Sequence, residues 1–297
     1  MYGYGNSMFL ATNGILARGG GLAPSLLLDT YPNAAVAYSL RKLRTAYTGS
    51  AIRVRRSVDN AEQDIAFSGN DLDTASLLTF CGAGNGFVTT WYDQSGNALN
   101  STMSTAIQQP RIVSAGVLDV KNLKAGLRFD GSNDYLTRSA LTALNSGNTY
   151  SIFSVSANET TATAGDILVT NNGTPSSRLS LFNSTRTTGG VYGIGTIQNT
   201  SLVTYASNMI TADGTANQRQ LSFIVNGFNI AGWKNGVAGT TDTYTGSYTN
   251  NVFTLGAFLN VPRHLNGYIQ ELIIYPSDQT TNRTGIETNI NTFYSIY

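Results

Sequence analysis

From Phe87 to Tyr275 the chain is a succession of short β-rich pieces divided by turn residues, and this rhythm restricts the fold more than any other feature. The pieces read FVTTWYD, AGLRFDG, YSIFSVSA, DILVT, RLSLF, QLSFIVNG, NVFTLGAF and GYIQELIIY. Branched and aromatic residues dominate them, and such side chains fit a pleated, half-buried surface. Asn-Gly occurs six times. The copies in FIVNGFNIAGWKNGVAGT sit between alternating hydrophobic runs, where backbone that tolerates positive φ closes two-residue hairpins. Antiparallel pairing is predicted, and no repeat of roughly 20 to 50 residues recurs that would build a propeller or a solenoid. The predicted architecture is all-β, a two-sheet antiparallel jelly-roll sandwich with a few short helices near the N-terminus.

The first part of the chain reads differently. Residues 1–30 are rich in Gly and Tyr, have no sustained period, and are predicted to form an attachment arm ordered only by docking. In NAAVAYSLRKLRTAY, opening at Asn33, the residues Val36, Leu40, Leu43 and Tyr47 recur at helical spacing, so a helix is predicted there. AIRVRRS alternates as a strand does, and DTASLLTFCG carries an Asp73 cap and a Gly82 stop around a short helix. Residues 31–297 are expected to form one sandwich, with 31–115 as a helix-containing leader packed on it.

Composition removes several functions. Charged residues are only 12% of the chain, and 18 Lys and Arg against 17 Asp and Glu leave a net charge of +1. That balance lacks the phosphate-neutralising face that nucleic acid demands, so no nucleic-acid partner is expected. The basic cluster Arg41, Lys42, Arg44, Arg53, Arg55 and Arg56 is followed by Asp59, Glu62, Asp64, Asp71 and Asp73, which favours internal ion pairing. One cysteine, Cys81, and one histidine, His264, build neither an intramolecular disulfide nor a structural zinc site. No apolar run of about 18 residues spans a membrane, and the N-terminus lacks a secretory pattern, so a reducing cytoplasm and no membrane insertion are expected. No cofactor is expected.

YSLRKLRTAYTGSAIRVRRS, NAEQDIAF and LDTASLLTFCGAGNGFVTTWYDQSGN together resemble the start of the catalytic domain of fungal α-L-arabinofuranosidase B. LRFDGSNDYL, LSFIVNGFN and NGYIQELIIYPSDQTTNRTGIETNI resemble laminin-G-like, concanavalin A-like sandwiches, and the resemblance covers nearly everything after residue 31. It implies a concanavalin A-like jelly roll. For activity it implies a nucleophile beside a vicinal cysteine pair, whereas Cys81 is alone. It also implies an acid on a turn before the last strand, yet LGAFLNVPRHLNG, residues 255–267, holds no carboxylate. A Gly-rich arm joined to such a sandwich is similar to structural proteins of tailed bacteriophages. The expectation is therefore a non-enzymatic phage virion surface protein (tail fibre, head fibre or decoration), homo-oligomeric and assembled in the host cytoplasm. It would hold other virion proteins through residues 1–30 and carry a lectin-like face for host or environmental glycans. The alternatives are an arabinofuranosidase-like glycoside hydrolase and a purely structural cement module.

For a glycan site the expected residues are exposed aromatics flanked by polar groups, and Trp233, Arg263 and His264 fit best. His264 has no nearby nucleophile at triad spacing, and no catalytic residue is assigned. Asp130, Ser132 and Asp134 have the alternating oxygens of a calcium loop but not its Gly and Glu positions, so a hairpin turn is favoured over a metal. Asp93, in WYDQSGN, is expected to cap its own turn, with an amide at 93 serving nearly as well.

Overall fold

The computed structural model describes residues 25–159, 166–170, 177–183, 191–198, 202–211, 217–243, 252–259 and 263–297. In chain order the labelled elements are α1 (Leu27–Thr30), β1 (Val36–Ser39), β2 (Ile52–Arg56), β3 (Glu62–Ile65), α2 (Thr74–Cys81), β4 (Gly86–Trp91), β5 (Ser101–Thr102), β6 (Arg111–Ser114), β7 (Leu127–Asp130), β8 (Leu136–Ser139) and β9 (Tyr150–Asn158). They continue with β10 (Asp166–Thr170), β11 (Ser177–Asn183), β12 (Val191–Gln198), β13 (Leu202–Thr211), β14 (Gln218–Asn226), β15 (Asn229–Lys234), β16 (Val252–Leu255), β17 (Ala257–Phe258), β18 (Arg263–His264), β19 (Asn266–Tyr275) and α3 (Arg283–Tyr294).

All labelled pairings are antiparallel. One array runs β3-β2-β4-β5-β8-β16-β10-β11-β12-β13. The other runs β6-β7-β19-β9-β14-β15, with β1 taking the rest of the β19 edge that β7 leaves free. A short β4–β6 pairing joins the two. Between them lies the main core, to which Ile52, Val88, Trp91, Leu136, Phe253 and Leu255 come from the first array, and Val36, Tyr38, Leu127, Ile152, Phe223 and Leu272 from the second. The second array has another apolar face, where Ala37, Phe153, Val155, Ile273 and Tyr275 meet Leu27 and Leu28 of α1 and Ile286, Ile290 and Tyr294 of α3. This sheet is thus covered on both sides, which is why GYIQELIIY reads as a continuous apolar run instead of alternating.

The same two-sided burial corrects the predicted helix at 33–47. Val36, Tyr38 and Leu40 point into the main core and Ala37 into the α1–α3 layer, so the segment holds strand β1, buried on both faces and paired along one edge with β19. Apolar residues on both faces imitate a helical spacing over so short a run. A second difference is α3, whose Thr, Asn and Gly content hides a helix held by packing of Ile286, Ile290 and Tyr294, spaced four apart. The helices therefore lie at both ends of the described chain. As predicted, α2 is capped by the Asp73 side chain, which accepts from Ser76 N, and stops at Gly82 with φ 56°.

Residues 1–24 of the predicted arm lie outside the described residues. Residues 27 and 28, counted in the arm, are buried against α3. Among the described residues two Asn-Gly pairs close hairpins: Gly227 (φ 62°) turns β14 into β15, and Asn235 and Gly236 (φ 52° and 76°) turn the end of β15 back to pair with Val237 and Ala238, while Asn13-Gly14 and Asn172-Gly173 lie outside the described residues. Asn266-Gly267 opens β19 instead, where a Cβ on Gly267 would stand 2.0 Å from the Ala157 carbonyl oxygen, so glycine is required by close approach of β9.

Candidate functional site

The WYDQSGN segment is structural. Trp91 ends β4 fully buried beside Tyr38, ring centroids 5.6 Å apart. Asp93 is 3% exposed, and its Oδ1 accepts from Ala37 N at 2.8 Å and Ser95 N at 2.9 Å. Its Oδ2 accepts from Leu99 N at 3.0 Å and Ser95 Oγ at 2.7 Å. Gln94 is fully buried: its Nε2 donates to the Ser39 and Arg41 carbonyls and its Oε1 accepts from Leu43 N. Asn97 Nδ2 donates to the carbonyls of Ala34 and Ala35. The turn therefore satisfies the free edge of β1 as a neighbouring strand would. Sequence reasoning anticipated an Asp cap within its own turn but not this span to β1.

A different carboxyl has the properties of a reacting group. β7 of the second array is joined to β8 of the first by the loop Asp130-Gly131-Ser132-Asn133-Asp134, which packs on Asn266 at the start of β19; the two strands pair with different neighbours, so the hairpin turn expected from the sequence is instead a crossing between the arrays. Asp130 is exposed at the tip and its Oδ1 accepts from Ser132 N and Asn133 N at 2.7 and 3.2 Å, a local turn cap. Asp134 is 6% exposed, and its Oδ2 accepts from Asp130 N at 2.9 Å. Burial pushes the Asp134 carboxyl up to about 7, the charge of Asp130 adds to the rise, and the Asp130 N–H, Arg128 and Arg111 oppose it. Arg128 Nη2 donates to Asn266 Oδ1 at 2.6 Å, while its Nη1 is buried without a partner among the described residues. Arg111 is held by Asp119 at 2.7 Å. The loop was weighed in the sequence for calcium, but nothing in its pattern marks Asp134 as a proton donor, because the shift arises from burial. Among the described residues no group of three or more His, Cys, Asp or Glu is placed to hold a metal.

The three predicted glycan contacts do not form one site. Trp233 lies on β15 with its ring under the Arg283 guanidinium of α3, 4.3 Å from the centroid, so one face is already covered. Arg263 and His264 are half-buried on the separate β17–β18 ribbon, where His264 Nδ1 is buried with no partner among the described residues. The basic cluster is paired in part with the acids that follow it: Arg53 meets Glu62 and Asp64, and Arg56 meets Asp59, whereas buried Arg41 pairs with the distant Glu271 at 2.8 Å and Arg44 and Arg55 donate to neutral oxygens. Burial pushes the Cys81 thiol up, which makes it a poor nucleophile.

Residues 29–135 match the family model for the catalytic region of α-L-arabinofuranosidase B, a span from α1 to the loop at Asp134 and just over a third of the chain. Over 89% of its length the chain superposes on an arabinofuranosidase complexed with arabinofuranosyl-α-1,2-xylobiose, with a TM-score of 0.65 at 16% identity. A GH54 α-L-arabinofuranosidase soaked with a cyclic sulfate inhibitor gives 0.62 at the same identity and coverage. A mutant of such an enzyme soaked with 4-nitrophenyl α-L-arabinofuranoside gives 0.61, again at 16% identity over 89% of this chain. The chain spans 64% of the length of each of these structures. No curated protein sequence matches it.

These findings share the sandwich fold with this chain, and they overturn two expectations. The non-enzymatic phage surface protein gives way because the matching model is of a catalytic domain and the matching folds are those of glycosidases. The reading that the chain is not an enzyme falls for the same reason. Both had rested on the lone Cys81 and on the carboxylate-free segment 255–267, which exclude two particular residues and not a hydrolase built around other carboxyls.

Proposed function

We propose that this chain is a glycoside hydrolase acting on α-L-arabinofuranosides. The observation that carries the reading is the match of residues 29–135 to an arabinofuranosidase catalytic model on a chain whose fold follows such enzymes over 89% of its length. Glycoside cleavage needs a proton for the departing oxygen and a negative charge to steady the oxocarbenium-like transition state. Asp134, with its carboxyl raised to about 7, is protonated in half the molecules near neutrality and supplies the proton. Asp130 supplies a carboxylate beside it. The loop sits on Asn266, at the end of the segment where the resemblance expects an acid and finds none, so Asp134 takes that role from the neighbouring β7–β8 loop.

The test compares 4-nitrophenyl α-L-arabinofuranoside with arabinofuranosyl-xylobiose. Both are expected to be hydrolysed, and the rate on the xylobiose substrate, whose leaving group needs a proton, should fall as pH rises through about 7 while the rate on the nitrophenyl glycoside does not. Asp134→Asn should lower kcat on the xylobiose substrate by about 100-fold or more, and much less on the nitrophenyl glycoside, whose phenolate departs without a proton. Absence of hydrolysis of both refutes the function. Equal losses on the two substrates, or none, remove Asp134 from the role of acid.

A further inference from the structure

A row of hydroxyls crosses the first sheet. Thr90 of β4 stands opposite Thr102 of β5, Thr102 opposite Thr137 of β8, and Arg53 of β2 opposite Thr90. The neighbouring Leu136 and Met103 are buried in the core, so strand alternation turns Thr102 and Thr137 to the outer face. There they line a cleft of about 510 Å³ with Arg53, Glu62, Thr90 and Tyr135. Paired strands are about 4.8 Å apart, a step close to the length of one sugar unit in an extended glycan. Thr90 and Thr102 make no side-chain hydrogen bond among the described residues, and Thr137 Oγ1 donates to the Phe253 carbonyl at 3.0 Å, which leaves its lone pairs to accept.

Charge chooses the kind of occupant. Arg53 is held by Glu62 at 2.7 Å and by Asp64 at 3.2 Å, so the cleft offers no free cation to an anionic polymer. The half-buried Tyr135 packs on the core and gives an apolar wall of the kind that covers the C–H face of a sugar. It directly follows Asp134, the proposed proton donor, in the chain.

We propose that the cleft over β4, β5 and β8 is a subsite for a neutral polysaccharide chain bearing the arabinofuranosyl groups. The choice of polymer rests on the proposed function, whereas binding does not depend on turnover. Native electrophoresis in gels containing soluble arabinoxylan reads the binding directly. The wild-type chain is expected to be retarded, and Thr102→Val combined with Thr137→Val should weaken the affinity about tenfold, since two hydrogen-bonding hydroxyls are lost. Thr102→Val alone changes an exposed position isosterically and should show an intermediate loss with an unchanged melt. No retardation of the wild type, equal retardation of all three proteins, or retardation by polygalacturonate in place of arabinoxylan overturns the proposal. Hydrolysis of the small nitrophenyl glycoside is measured separately and fails or succeeds independently of this result.

Discussion

Replacing Asp93 tests whether the turn after β4 holds the edge of β1. Asp93→Ala strands three backbone N–H groups, those of Ala37, Ser95 and Leu99, and one hydroxyl, Ser95 Oγ. Ala37 is buried in the sheet, so its unsatisfied donor costs about 2 to 3 kcal/mol, while the half-buried Ser95 and Leu99 recover part of theirs from water and cost about 1 kcal/mol each. The sum is about 4 kcal/mol, well above the 1 kcal/mol or so of an ordinary turn cap. Asp93→Asn is instructive because an amide oxygen replaces only one carboxylate oxygen. Placed at Oδ1, it keeps Ala37 and Ser95, but its NH2 then faces the Leu99 N–H, donor against donor. An expected loss of about 2 kcal/mol follows, so the amide is not the near-equal substitute that the turn sequence suggests. Urea melts of the three proteins measure both numbers, and thermal melts should separate them by roughly 2 °C per kcal/mol at this chain length. A fully stable Asp93→Asn protein, or a loss below about 1 kcal/mol for Asp93→Ala, would refute the four-acceptor geometry.

Arg41→Met should cost about 3 to 5 kcal/mol because it leaves the buried Glu271 carboxylate without its counter-charge, and adding Glu271→Leu should restore most of the loss in urea melts. Asp134 has a raised carboxyl, so its contribution to stability is complete below about pH 4 and is lost as pH rises through about 7, by up to about 4 kcal/mol. Melts of Asp134→Asn across that range should lack this slope. Gly267→Ala should destabilise by about 3 kcal/mol or more, since its Cβ meets the rigid Ala157 carbonyl at 2.0 Å, and hydrogen exchange along β9 and β19 should localise the damage. Leu27→Ala should cost about 2 to 5 kcal/mol by opening the layer under α3, which a urea melt reads.

Local chemistry made much of the sandwich legible. The strands of the two arrays are apolar runs with turn residues at their ends, and α2 announced itself by Asp73 and Gly82. Features set by layering were hidden. β1 is apolar on both faces because a helix layer covers the second sheet, and one chain segment does not say how many layers lie around it. α3 is held by Ile286, Ile290 and Tyr294 against that sheet and has little propensity of its own. Of the site, the Asp130–Asp134 loop was visible as a turn, but that it crosses between the arrays and that burial raises the Asp134 carboxyl were not. Thr90, Thr102 and Thr137 become a row only through strand register. Trp233 looked available in its hairpin because Arg283, which covers it, lies fifty residues further along.

The pairing of β1 with β19 also sets a timetable. Ser39 meets Glu271 across 232 residues of chain. At about 5 to 20 residues per second, a ribosome takes roughly 10 to 50 s to deliver the partner strand after β1 has emerged. During that interval β1, apolar on both faces, could join any stray strand. The Asp93 to Asn97 turn arrives far sooner, only 56 residues after Ala37, and takes up one of the two open edges. A turn whose carboxylate reads in the sequence as a local cap thus acts as a placeholder during synthesis, keeping β1 available for β19.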